Sequence, residues 1–571
     1  MTSPSFLQRR VHPPVTPSNA SSGESGKRPN TRSGPFTLVW MAALGGVSLL
    51  CACSGPQTRP TSGRDAISVE HVPDEQLMPV ALRRLTNREF RKVASAVLET
   101  ELSPDLDAQL PPDVRQEDGY TRNVEQTVSG ALAVKLEQLV PGLVERALTR
   151  RDAPLFPCAH ASAKEACIDG WLEQKARTAF RRPVTKEQRE RLRALYERGE
   201  HLEKGAGPGL VLATLLMSPL LWYVSELGSQ EDAPVVALSP YEIADQIGFV
   251  VRGTPADEAL LLAAESGALD DGAQRQAHAR RLLGFSDTRE HYREFVLSWL
   301  EVDRLHDTAK SETVFARYED FKPHMLAETE HFADEVFVHE GASVKKLLNA
   351  GFVSVDPNMA VFYGLKEFGA RVSGAPVGRL GVLHHASFLA SHSHADTTSP
   401  VLRGDFVLRK VLCHRLPRPG ELDLEIIMPR PSEELTRREQ FSRHGADPRC
   451  AECHDQIDGL GFVFEEFDAA GRHRSHELGK PVRIDGKAVY QQQTHSFADS
   501  RQLVQWLAGR PETSECFARQ LFRFVTGRVH PRAEAAFVNL RQQLPEANRD
   551  NVLEHLVAYV GSPHFVQRRQ R

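Results

Sequence analysis

The most constraining stretch of this chain is five residues long. Cys450-Ala451-Glu452-Cys453-His454 sets two thiols three positions apart and an imidazole directly after the second. Two thiols at that spacing can add to the vinyl groups of a haem, and the histidine that follows points its ring at the iron. The expected cofactor is therefore one covalent haem c, tethered by Cys450 and Cys453 with His454 as the proximal iron ligand. The competing reading is a zinc site. A structural zinc usually takes four ligands, and no second cysteine pair at metal spacing exists in the chain.

A sixth iron ligand is less determined. Small cytochromes often use a methionine downstream of the motif, but no methionine follows Met428. The candidates are His394 first, then His392, with His444 and the upstream Met428 behind them. A five-coordinate iron would turn an electron carrier into a reactive centre. Arg443, Arg472 and Arg474 flank the motif. Guanidinium forks suit haem propionates, so Arg472 and Arg474 are candidate cofactor contacts, with ordinary solvated charge as the alternative.

The first residues read as an address and not as fold. Residues 1–34 are rich in Ser, Pro, Thr and Asn and carry Arg9, Arg10, Lys27, Arg28 and Arg32 against Glu24. Phe36 to Leu50 is almost wholly apolar and runs into Cys51-Ala52-Cys53-Ser54-Gly55. A basic segment, an apolar stretch and small residues at its end make an export signal. The stretch is shorter than the about 20 residues that a spanning helix needs. The small residue before Cys53 resembles a bacterial lipobox. That implies cleavage before Cys53, lipidation of its sulfur and, with Ser54 next, placement on the outer membrane, facing either the periplasm or the outside. A plain secretory signal is the alternative. The expected membrane contact is the lipid anchor alone, consistent with 41% hydrophobic and 25% charged residues. The net charge is −5 and no basic run stands out, so nucleic acid is not an expected partner.

There are eight cysteines. Setting aside Cys51, Cys53 and the motif pair leaves four, an even number in an oxidising compartment. Cys158 with Cys167 would close a small loop, and Cys413 with Cys516 is the remaining pairing; buried inert thiols are the alternative.

Aromatic residues make up only 7% and β-branched runs are few, which favours helix. Leu82, Leu85, Phe90, Val93, Val97 and Leu98 recur near helical spacing from Ala81 onward, with Thr86 and Glu89 as a capping box. Further helices are expected over 129–150, two within 167–204 with a break at Arg182-Pro183, one from Leu210 to Val224, and then over 239–251, 256–267, 273–284, 287–301, 321–338 and 342–350. Residues 395–435 read as an extended linker, Asp485-Gly486 as a hairpin turn, and helices return at 499–509, 515–527 and 548–560.

The motif and its surroundings resemble the planctomycete-type cytochrome domain and its accompanying helical domains, found in large exported proteins. The core resemblance is His444-Gly-Ala-Asp447-Pro448-Arg-Cys450-Ala-Glu-Cys453-His454, then Ile457-Asp458-Gly459-Leu460-Gly461-Phe462 and Glu466-Phe467-Asp468-Ala-Ala-Gly471-Arg472. The lead-in is Ser387-Phe388-Leu389, His392, His394 and Thr398 to Gly404. Flanking likenesses are Arg84 to Glu89, Arg177 to Thr185, Ser218 to Tyr223, Ser239 to Ala244 and Cys516 to Arg528. Two positions depart from the family: Gly459 stands where proline is usual and His473 where tryptophan is usual. Gly459 should loosen a loop below the haem, and His473 could offer a hydrogen bond or a ligand.

The expected fold is mainly α: multi-domain helical bundles with a C-terminal cytochrome c-like module. Its parts are a signal at 1–52, a tether at 53–79, an N-terminal helical domain at 80–150, a disulfide-closed helical pair at 151–204, a central bundle at 205–370, the haem domain at 376–478 and a hairpin with helices at 479–571. The resemblance implies haem binding and export. The favoured role is one-electron transfer to an unidentified redox partner, with burial by Phe462, Phe464 and Phe467 tuning the potential. The long region before the haem domain leaves room for a haem-dependent oxidoreductase using peroxide or dioxygen, or for a surface assembly protein with structural haem. No Ser/His/Asp set or paired carboxylates at catalytic spacing are evident.

Overall fold

The computed structural model describes residues 72–117, 119–150, 152–228, 233–417, 421 and 432–570. The signal segment, Cys51 and Cys53, most of the tether and Met428 lie outside the described residues. Helix dominates, and among the described residues strand is confined to two-stranded ribbons, so the mainly α expectation holds.

Local capping chemistry explains where many helices begin. Thr86 Oγ1 accepts from the Glu89 N–H at 3.2 Å while the Glu89 carboxylate accepts from the Thr86 N–H at 2.9 Å. The same reciprocal box opens helices at Thr185, Ser239 and Thr436. The break at Arg182-Pro183 separates helix Lys164–Phe180 from helix Lys186–Leu202 as expected.

Four expectations are corrected. Ala81–Arg84 is a strand, paired antiparallel with Tyr223–Glu226, and helix starts only at the Thr86 box, as Asn87–Leu98. The Leu210 to Val224 run is not one helix. Helix Gly207–Met217 ends before Ser218, Pro219 opens a single turn, Pro219–Trp222, and the chain then enters that strand. Proline has no N–H to continue the first helix but suits the first position of a second. Residues 395–435 are not all linker. Pro400 opens helix Pro400–Phe406, which runs on through a π-helical stretch, Val407–Val411. Asp485-Gly486 is not the hairpin turn. Strands Gly486–Tyr490 and Gln493–Phe497 pair, and Gln491 and Gln492 turn the chain at φ 50° and 62°. A helix at Pro531–Gln543 was not foreseen.

One apolar core holds Leu85 to Trp222 of the N-terminal region together with Phe249. A second, larger one takes in Ile243, Phe295, Trp299, Phe332, Phe388, Leu460, Phe464, Phe517 and Val560, so the central helices, the motif region and the C-terminal helices share a continuous interior. A third lies around Met325, Met359 and Ala470.

Buried ion pairs bind the chain's distant parts. Glu89 meets Arg83 at 2.7 Å and Arg122 at 2.8 Å, Arg181 meets Asp245 at 2.8 Å, and Glu226 holds both Arg528, at 2.8 Å, and Arg568. Glu89, Arg181 and Arg528 all fall within the flanking likenesses, so those motifs have a structural use. Burial alone would raise the Glu89 pKa from 4.5, but Arg122 and Arg83 overcome it and hold the carboxyl at about 2. Because the folded value is depressed, the pair's stabilisation is complete above the ordinary value and is lost as pH falls from 4.5 through about 2. Glu89→Ala, which strands two buried guanidiniums, should cost about 3–5 kcal/mol at neutral pH in denaturant unfolding and flatten the acid limb of the stability curve.

Candidate functional site

The motif lies on helix Pro448–Phe462. Asp447 caps its start, accepting from the Arg449 N–H at 3.0 Å, and Pro448 takes the first helical position. Cys450 and Cys453, three positions apart, share one face of that helix and are both half-buried. They are the free cysteines of the described residues, because the other four are paired as expected, Cys158 with Cys167 and Cys413 with Cys516. Burial pushes the Cys453 thiol up, with Glu452 and Cys450 adding to it.

His454 Nδ1 lies 2.8 Å from Asp458 Oδ1, one helical turn on. With Asp458 ionised, the Nδ1–H donates and Nε2 is left with a free lone pair. Asp458 is buried, which raises its pKa, and the His454 hydrogen bond opposes that rise. Helix Arg437–Gly445 packs on the motif helix and brings His444 edge-on to His454, ring centroids 4.8 Å apart at 82°. Gly445 permits that approach: a Cβ there would stand 3.1 Å from the His454 Cβ and 3.3 Å from Asp458 Oδ2. Burial, then the neighbouring His454, lowers the His444 pKa and favours its neutral ring.

The other candidates are placed as follows. His392 is buried between Phe388 and Phe406; its Nδ1 is 3.0 Å from the Phe388 carbonyl and its Nε2 3.6 Å from Glu301. His394 is half-buried, and its carbonyl oxygen accepts from the Lys310 ammonium at 2.7 Å. Arg472 stacks over Phe362 at 4.8 Å, and Arg474 pairs with Glu465 at 2.7 Å. Arg443 is exposed. Phe462, Phe464 and Phe467 are all buried, the last two against His384. His473 is 57% exposed, with its Nε2 3.9 Å from Glu466.

Gly459 corrects an expectation. It lies within the helix, not in a loop, and does not loosen anything: a Cβ there would fall 1.8 Å from the Lys487 carbonyl oxygen. Gly461 likewise faces the Pro400 carbonyl, and Gly404 and Gly486 meet the motif helix from the other sides of the same contacts. The motif helix is thus clamped, backbone on backbone, between helix Pro400–Phe406 and strand Gly486–Tyr490.

Asp458 is the residue whose role was missed. Its i+4 spacing from His454 was the available signal. The donor set fits a c-type haem: two free thiols on one helical face, and beside them an imidazole whose Nδ1 is held and whose Nε2 is free. Among the described residues, no group of three or more His, Cys, Asp or Glu side chains is placed to hold a bare metal ion.

Two family comparisons bear on this architecture. Residues 379–477, which contain the motif, match the PSCyt3 family, described as a protein of unknown function (DUF1588). Residues 238–365 match the PSD4 family, also described as a protein of unknown function (DUF1592). Both are planctomycete cytochrome-c-like domain families, described only as domains of unknown function, and these two regions of the mainly helical chain are similar to them. No curated protein and no solved structure matches the chain.

Proposed function

We propose that this protein is an exported c-type cytochrome, carrying one haem on Cys450 and Cys453 and anchored by lipid at Cys53, that passes single electrons to a redox partner outside the cytoplasm. The observation that carries this reading is the juxtaposition of two unpaired thiols and an oriented His454 on one helix. The bound group would supply one-electron chemistry at its iron. The chain's own residues do the rest. Cys450 and Cys453 tether, His454 offers Nε2, Asp458 fixes the ring and its tautomer, and the glycine contacts hold the helix that carries them.

The test is a haem stain on a denaturing gel of protein matured in a host that attaches c-type haem, followed by ferric and ferrous absorption spectra. Stain retained on the denatured chain with low-spin iron in both states supports the carrier. An unstained chain removes the reading.

One observation favours a second reading, a haem-dependent oxidoreductase. A carboxylate on the proximal imidazole raises its basicity and stabilises higher iron oxidation states. High-spin, five-coordinate iron would select this alternative. In either case Asp458→Asn should raise the reduction potential by tens of millivolts, since a tenfold change in ferric-over-ferrous preference is about 59 mV for one electron. Redox titration of the two proteins side by side measures it, and an unchanged potential would remove Asp458 from the tuning of the site.

A further inference from the structure

Away from the motif, a cleft of about 670 Å³ opens where the short helix Val344–Asn349 meets the junction of helices Ser500–Ala508 and Pro511–Thr526. Four cations line it, Lys345, Arg510, Arg541 and Arg549, against one carboxylate, Asp550. A second hollow of about 440 Å³ shares Lys345 and Asp550 with it and adds Lys346 together with Glu340, which pairs with that lysine at 3.4 Å. In a chain of net charge −5 this is a local concentration of positive charge, one that core packing does not require.

Two of the cations are held in place. The Arg510 guanidinium lies 4.6 Å over the Trp506 ring and 5.3 Å over Tyr490, and donates to Glu512 at 2.8 Å; its Nε is buried without a hydrogen-bond partner. Arg541 donates from Nε to the Arg549 carbonyl at 2.6 Å and from a terminal nitrogen to Asp550 at 3.0 Å. Guanidiniums fixed in this way lose little freedom on meeting a ligand. The other two, Lys345 and Arg549, are exposed. Ser514 adds a hydroxyl on the same wall.

We propose that this cleft binds a small molecule carrying two or more oxyanion groups, either phosphates or carboxylates. One anionic group would face Arg510 and Arg541, and another Lys345 and Arg549. The site lies outside the PSCyt3 match and joins the PSD4 match to the C-terminal helices, so it stands whether or not haem is bound. Pyrophosphate and citrate, titrated calorimetrically into the full chain at low ionic strength, are the probes. Binding of at least one is expected, and the Lys345→Ala/Arg549→Ala variant should weaken it by about tenfold or more, the loss of two charge-assisted contacts. Lys164→Ala/Lys366→Ala, which removes two exposed charges elsewhere, should leave it unchanged. Binding of pyrophosphate alone assigns phosphate chemistry, citrate alone carboxylate chemistry, and both an oxyanion site of either kind. Absence of binding by both probes, or equal weakening in the two variants, would overturn the proposal.

Discussion

Replacing both motif thiols, Cys450→Ala with Cys453→Ala, should abolish covalent porphyrin while leaving a folded chain. Intact-mass measurement of wild-type protein matured with c-type haem should show the polypeptide plus one porphyrin, and the double variant the polypeptide alone. The loss is expected to be complete, because a thioether cannot form without sulfur, and His454 by itself could hold haem only by a reversible bond. The fold should survive, because Cys450 and Cys453 are half-buried at the edge of the interior, whereas Leu460, Phe464 and Phe467, deeper in the same region, lie within the main core. Far-ultraviolet dichroism of the two proteins checks that. Wild-type protein with no added mass would end the cytochrome reading and leave a helical protein whose Asp458–His454 pair needs another use.

Gly459→Ala should be, with Gly461→Ala, among the most damaging single methyls in the motif helix. The new Cβ would fall 1.8 Å from the Lys487 carbonyl oxygen, a backbone atom that cannot swing aside as a side chain could. Strand Gly486–Tyr490 would have to move off the helix, disturbing Ala488, Tyr490 and Phe497 in the core. We expect a loss of about 3 kcal/mol in denaturant unfolding. Gly170→Ala supplies the contrast. Gly170 also sits inside a helix, Lys164–Phe180, but an added Cβ there has nothing within 4 Å. Helix propensity alone should make that variant more stable by up to about 1 kcal/mol. The same chemical change should thus have opposite signs at the two positions. Similar effects at both would mean that the helix and strand do not approach as closely as described.

What was legible in the sequence depended on how local its physics is. The capping boxes at Thr86, Thr185, Ser239 and Thr436 need only four consecutive residues, and the one at Thr86 was recognised without a fold. Both disulfides match the pairings that cysteine arithmetic favoured over buried thiols once Cys51, Cys53 and the motif pair were set apart. The errors arose where a distant partner decided the outcome. Ala81–Arg84 carries apolar spacing compatible with helix, yet Tyr223–Glu226 draws it into a strand. Asp485-Gly486 has turn chemistry, but Gly486 is used for close contact with Gly459, and the turn passes to Gln491 and Gln492.

The sequence by itself determined how two thiols and an imidazole stand to one another, because within five residues they keep their relation on any helix that carries them. Asp458 was within its reach too, one turn beyond His454. Only the tertiary structure decided what surrounds that chemistry: His444 against the His454 ring, a glycine-lined clamp of backbone on both sides of the helix, and a cationic cleft assembled from segments far apart in the chain. Contacts between elements distant in sequence are chosen by which surfaces exclude water together, and no short stretch of residues carries that information.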